Sequence, residues 1–176
     1  MLEGLPLVSE AADFAARRHS GQHRKGRGNE PYVNHLAEVA NLLSISTDAE
    51  LVAAGWLHDA IEDTATTREQ LAQKFGERVA ALVVEVTDDM TLPKPERRQK
   101  QIVDAPRKSP GAKLIKIADK ISNIRARIMP QANQDERDDL IDYLAWAEKV
   151  VDGCRGVNAM LDRMFDETVR APRSTL

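Results

Sequence analysis

The sequence predicts an all-α fold, a single compact multi-helix bundle with no substantial sheet, and three observations predict it. Apolar residues recur at three- and four-residue spacing through most of the chain. Ser, Thr or Asp precedes several of these stretches and Gly follows them, where helices start and stop. No stretch alternates apolar and polar residues as a half-buried strand does.

The elements follow in order. A first helix runs from about Ser9 to His19 and stops at Gly21. The segment GQHRKGRGNE is too polar and Gly-rich for a core element and reads as a surface loop. Pro31 then stands as a first-turn proline, opening a helix through about Ile45 that carries His35 early and Val33, Leu36, Val39, Ala40 and Leu43 at helical spacing. Thr47 or Asp48 caps the next helix. Its run LVAAGWLHDAIED is apolar almost all round until its acidic end, the pattern of a central buried helix, with His58 and Asp59 deep in it.

Thr66 or Thr67 caps a helix ending near Gly76, and another spans about Glu77 to Val86. The stretch DDMTLPKPERRQKQ turns through two prolines into a basic helix, and Gly111 begins a long one, KLIKIADKISNIRARI. The last third holds two amphipathic patterns, QDERDDLIDYLAWAEKVVDGC and GVNAMLDRMFDETV, separated around Gly153 and Gly156.

Composition narrows the class. The 176 residues, with no repeat, low-complexity tract or Gly/Ser linker, predict one domain over 1–176. With 42% hydrophobic and 30% charged residues the chain reads as an ordinary soluble globular protein, and no apolar run approaches the roughly 20 residues of a spanning helix. Acidic residues stand in MLEGLPLVSEAADF where a signal peptide carries positive charge, so the expected location is the cytoplasm. The single Cys154 excludes an internal disulfide framework and any multi-Cys zinc site, and reads as a small residue near a helix end. A net charge of −3 argues against wrapping a nucleic-acid backbone. The expected partner is a small molecule, with neither nucleic acid nor membrane; oligomeric state leaves no readable mark.

Chemistry concentrates on the central helix. His58, Asp59, Glu62 and Asp63 fall within two turns of an apolar element, and buried charges are costly without a partner or a metal. Residues four apart share a helix face, so His58 stacks with Glu62 and Asp59 with Asp63, and both pairs can border one cleft. Two ligands make a poor metal site. The best further candidates are His35, flanked by apolar helical positions, and Asp119, within the apolar run KLIKIADKISNI.

A distant His, an adjacent His-Asp pair and a later Asp, here His35, His58-Asp59 and Asp119, resemble the signature of the HD superfamily of metal-dependent phosphohydrolases. HRKGRGNEPYVNH, WLHDAIEDT, EVTDDMTLPKPER and SPGAKLIKIADKISNIR narrow the resemblance to the hydrolase domain of RelA/SpoT-type alarmone enzymes. It covers nearly the whole chain and leaves no room for synthetase and regulatory domains, so the chain looks like a stand-alone small alarmone hydrolase. The resemblance implies that His35, His58, Asp59 and Asp119 hold one divalent ion, usually manganese, although the same donors also suit zinc. The implied reaction is hydrolysis of the 3′-pyrophosphate of guanosine tetra- or pentaphosphate.

Glu62 and Asp63 match the family's Glu-Asp pair and are expected to orient the attacking water and move protons jointly. A polyanionic substrate on an acidic protein needs concentrated cations. Arg24, Lys25 and Arg27 supply one group and Lys94, Arg97 and Arg98 another. The resemblance implies that Arg24 and Lys25 contact base and phosphates, and that Lys94 and Arg97 contact phosphate. It also implies that Asn123, one turn after Asp119, contacts the nucleoside, with Tyr32 and Tyr143 completing the pocket; Trp56 and Trp146 are expected in the core. Met90 departs from the Lys that related sequences often carry in a DDKTLPK-like stretch, which removes a possible phosphate contact. The rival readings are an HD-type enzyme acting on adenosine alarmones, NADPH or another nucleotide, a non-catalytic alarmone sensor, and a metal-free helical scaffold.

Overall fold

The computed structural model describes residues 4–24, 29–128 and 134–173. Among them the chain forms α1 (Leu5–Arg18), α2 (Val33–Leu43), α3 (Ala49–Leu57), α4 (Ala60–Asp63), α5 (Arg68–Phe75), α6 (Glu77–Val86), α7 (Lys94–Asp104), α8 (Pro110–Arg127), α9 (Gln134–Asp152) and α10 (Ala159–Arg173), with short 3-10 turns at Ser44–Ser46 and Ala105–Arg107. The all-α expectation stands: the described residues contain no strand, and an isolated bridge joins His23 to Pro31. No described helix is long and apolar enough to cross a membrane. The residues divide into two compact units, one ending at Met90 and one beginning at Thr91.

In the first unit α3 packs against α1, α2 and α6. Leu51, Ala53, Ala54 and Leu57 of α3 are all buried, as its all-round apolar sequence requires. Each leucine so buried contributes about 1.5–3 kcal/mol. Gly55 lets α2 come close: a Cβ there would meet Leu43 Cδ1 at 2.6 Å and the Ala40 Cα at 3.3 Å. Gly55→Ala is therefore expected to force α2 and α3 apart, with a loss of about 1–2 kcal/mol that outweighs the better helix propensity of alanine. A thermal melt checks it. An unchanged melting temperature would mean that Leu43 repacks freely.

Asp48 settles the capping alternative. Its side chain accepts from the N–H groups of Glu50 and Leu51, while Thr47 takes a left-handed conformation (φ 57°). Asp48 also accepts from both terminal nitrogens of Arg78, at 3.0 and 2.5 Å, and this pairing holds its carboxyl below its ordinary value. Asp48→Ala is expected to cost about 1–1.5 kcal/mol, mostly the lost cap, since a half-exposed ion pair adds little. A carboxyl lowered on folding stabilises the protein above its unfolded pKa and loses that effect as pH falls through the folded one. The gap in melting temperature between wild type and Asp48→Ala is therefore expected to close below about pH 4.

Several boundaries differ from those predicted. Helix α1 starts one turn early because Pro6 occupies its first turn. Pro31 lies outside α2: Arg24 N–H donates to Glu30 C=O and Tyr32 N–H to Gln22 C=O, which ties Pro31 into an extended pairing with His23. Ser109, not Gly111, sets the start of α8, its hydroxyl accepting from Ala112 N–H. Thr67 rather than Thr66 caps α5, in a reciprocal box with Gln70.

The largest correction concerns the central helix. It is not continuous through LVAAGWLHDAIED; α3 ends at Leu57 and Asp59 adopts φ −98°, ψ 1° before α4 begins. That backbone region is sparsely populated and recurs at active sites. The break makes Asp59 the N-cap of a separate one-turn helix that carries Glu62 and Asp63 at its end, so the acidic residues do not ride one long helix with His58.

In the second unit α8 packs against α9 and α10, and α7 against α9. Leu161, Phe165 and Val169, four apart along α10, are buried, as are Ile115, Ile117, Ile121 and Ile124 of α8. Cys154 stands just past the end of α9, the helix-end place its sequence suggested; it is buried, and burial raises its thiol pKa.

Candidate active site

His35 lies on α2 and is 1% exposed; His58 closes α3 and is 4% exposed. Their Nε2 atoms stand 3.2 Å apart, and Asp59 Oδ2 lies 3.4 Å from the first and 3.1 Å from the second. Ligand bonds of about 2.1 Å place neighbouring donors about 3.0–3.4 Å apart around a divalent ion. These three atoms therefore have the spacing of one face of a metal's coordination shell. His58 Nδ1–H donates to Gly55 C=O at 2.9 Å, which leaves the Nε2 lone pair facing the other donors.

Asp59 remains a carboxylate here. Burial acts to raise its pKa, but the His58 and His35 rings beside it prevail and hold it well below the ordinary carboxylate value. Tyr32 O–H donates to Asp59 Oδ2 at 2.5 Å and fixes that oxygen from another side.

Both carboxylates of α4 stand close by in the chain. Glu62 accepts from the Asp88 backbone N–H, an anchor 26 residues away in sequence. Partial burial of the Asp63 carboxyl, then the charge of Asp59, raise its pKa above the ordinary value, with His19 and Tyr32 acting the other way. Two adjacent carboxylates thus sit in different environments, the arrangement from which acid and base roles are made.

Arg24 turns inward. It is 7% exposed, with Nη1 3.9 Å from Glu38 Oε2 and Nη2 3.5 Å from His35 Nδ1. Lys25 and Arg27 lie outside the described residues.

The second unit holds the other predicted residues. On α8, Asp119 accepts from Asn123 Nδ2 at 2.5 Å and from Lys120 Nζ at 2.8 Å. Lys120 is 3% exposed and its ammonium also lies over the Trp146 ring, 4.5 Å from its centroid. The sequence reading missed this lysine, although its place inside an apolar run was the signal. Tyr143 is buried against Trp146, with the Arg127 guanidinium 3.9 Å above its ring, and burial raises its hydroxyl pKa. Trp56 and Trp146 are half-buried rather than core residues.

At the start of α7, Lys94, Pro95, Arg98, Gln99, Ile102 and Trp146 line a pocket of about 430 Å³, a volume suited to a small molecule. Lys94 is where the sequence places a phosphate contact; Arg97 is half-buried and Arg98, its neighbour, lines the pocket.

The family described as HD domain matches residues 11–142. The chain is 46% identical over 158 residues to the human protein named guanosine-3′,5′-bis(diphosphate) 3′-pyrophosphohydrolase MESH1, covering 87% of each. It is 36% identical over 122 residues to the guanosine-3′,5′-bis(diphosphate) 3′-pyrophosphohydrolase of Aquifex aeolicus, where the match covers 67% of this chain and 17% of the much longer relative. Among solved structures it resembles one described as a metazoan ortholog of SpoT that hydrolyzes ppGpp and plays a role in starvation responses, with a TM-score of 0.86, 41% identity and 97% of both chains covered.

Proposed function

The chain belongs to the HD-domain family, and from that premise we propose that it hydrolyses the 3′-pyrophosphate of guanosine tetra- and pentaphosphate, giving GDP or GTP and pyrophosphate. The observation that carries this reading is the convergence of His35 Nε2, His58 Nε2 and Asp59 Oδ2 at metal-ligand spacing.

Asp119 is assigned as the fourth ligand, on its place in the segment IADKISN and on the two donors, Lys120 and Asn123, that hold its carboxylate. The imidazole and carboxylate set suits manganese, the ion assigned here. When bound, the ion supplies Lewis acidity toward a phosphoryl oxygen and makes water acidic enough to attack at neutral pH. Glu62 and Asp63 jointly orient that water and take its proton. In the reaction the water oxygen bonds to the phosphorus on O3′, the P–O3′ bond breaks, and O3′ leaves with a proton.

Arg24, Lys25, Lys94 and Arg97 are assigned to offset the charge of the substrate, and Tyr32, Asn123 and Tyr143 to its nucleoside. The protein acts on a small molecule in the cytoplasm, with no nucleic acid or membrane partner.

The experiment is release of pyrophosphate from guanosine tetraphosphate, adenosine tetraphosphate and NADPH, with and without Mn²⁺. Manganese-dependent pyrophosphate from the guanosine compound is the expected result. Turnover confined to the adenosine compound, or phosphate from NADPH alone, would move the assignment to a related HD-type activity. Tight Mn²⁺ binding with no turnover of any substrate would leave an alarmone sensor.

A further inference from the structure

The end of α1 reaches the site by a route that its sequence conceals. Ala11, Ala15 and His19 follow at four-residue intervals and all are buried, so His19 continues an apolar face into the interior at 2% exposure. His19 Nδ1 lies 2.7 Å from Gln22 Oε1, and Gln22 Nε2 donates to the Asp63 backbone C=O at 2.9 Å. A carbonyl can only accept, so the NH₂ of Gln22 faces Asp63 and its oxygen faces His19. That places the imidazole proton on Nδ1.

The same pair holds Tyr32. The His19 ring stacks on the Tyr32 ring, centroids 5.3 Å apart and 24° from parallel, and Gln22 C=O accepts from Tyr32 N–H at 2.9 Å. Gly21, at φ +80°, makes the turn after which Gln22 N–H donates to His19 C=O and its side chain meets His19 Nδ1. Tyr32 in turn donates to Asp59. His19 Nε2 is buried with no hydrogen-bond partner among the described residues. Burying such an atom is costly, and a side chain kept only for packing would avoid it.

We propose that His19 and Gln22 are positioning residues for the hydrolysis: Gln22 pins the backbone of Asp63, and the pair holds Tyr32 so that its hydroxyl aims Asp59 at the metal. The proposal rests on reading Asp59 as a metal ligand and Asp63 as a carboxylate acting on the attacking water. The physical need is clear in α4, a single turn with Asp59 at its N-cap and Asp63 as its last residue, two carboxylates that repel each other. One turn supplies little helical stability of its own, so a long-range anchor must fix where Asp63 stands.

Two variants test it in the intact chain. Gln22→Met keeps the side-chain length and removes both hydrogen bonds; His19→Phe keeps the stacked ring and removes both nitrogens. Each is compared with wild type for kcat and KM on guanosine tetraphosphate, for Mn²⁺ affinity of the substrate-free protein by calorimetry, and for thermal unfolding. Gln22→Met is expected to lose about 10–100-fold in kcat with KM changed less than about threefold, because the interaction acts on the reacting groups rather than on substrate binding. His19→Phe is expected to lower kcat by a similar factor while Mn²⁺ affinity stays within about threefold of wild type, since the stack on Tyr32 is kept. An active wild type with a Gln22→Met kcat within about threefold of it overturns the proposal, as does a loss that merely follows the unfolded fraction. No turnover by wild type overturns the hydrolase reading and the proposal together.

Discussion

Replacing Asp59 with alanine is expected to lower pyrophosphate release about 10³-fold, the equivalent of the several kcal/mol that a bound ion contributes to phosphoryl chemistry. Asp59 is not one donor among equals. Its Oδ2 lies 3.4 Å from His35 Nε2 and 3.1 Å from His58 Nε2, and it accepts the Tyr32 hydroxyl, so one oxygen links three elements of the site. Its carboxyl is held ionised far below neutral pH, so the negative charge that would bind a cation is present throughout the working range. Without it two buried imidazoles remain side by side with no anion between them. The measurement is kcat/KM together with Mn²⁺ stoichiometry of the purified variant. Full activity and one bound ion in Asp59→Ala would remove Asp59 from the site.

Glu62→Gln is expected to lower kcat by about 10²–10⁴-fold, the range for loss of a general acid or base, while Mn²⁺ still binds. The substitution keeps an oxygen that can accept from the Asp88 N–H, so the anchor at the end of α6 survives and α4 stays placed. What disappears is the ability to take a proton. The separation of outcomes is informative: metal lost with activity would make Glu62 a ligand, whereas metal kept with activity lost is the signature of proton transfer. A kcat close to wild type would leave the proton to Asp63, whose carboxyl burial and the Asp59 charge already raise.

The helices were legible because their signals are local. Apolar spacing, a cap at Thr47 or Asp48, a cap at Thr66 or Thr67 and the Glu77 start all depend on residues within one turn of each other, and the structure keeps Asp48 and Thr67 as the caps. The His-Asp pair was legible for another reason: charged groups in an otherwise apolar run are chemically expensive and stand out in composition. His19 did not stand out. It closes a short helix beside a polar, Gly-rich segment, and only the four-residue interval from Ala11 and Ala15 marked it as interior.

By itself the sequence determined the all-α class, the place of most helices to within about a turn, and which side chains have donor or carboxylate chemistry, since all of these follow from residue type and short-range spacing. The tertiary structure alone decided that the central helix breaks at Asp59, that Arg24 turns inward toward His35 and Glu38, and that Gln22 reaches Asp63 across 41 residues of chain. Those outcomes depend on which buried donors and acceptors meet once α1, α2 and α3 have packed. No periodicity records such a meeting, because the partners share a place in space and no fixed interval along the chain.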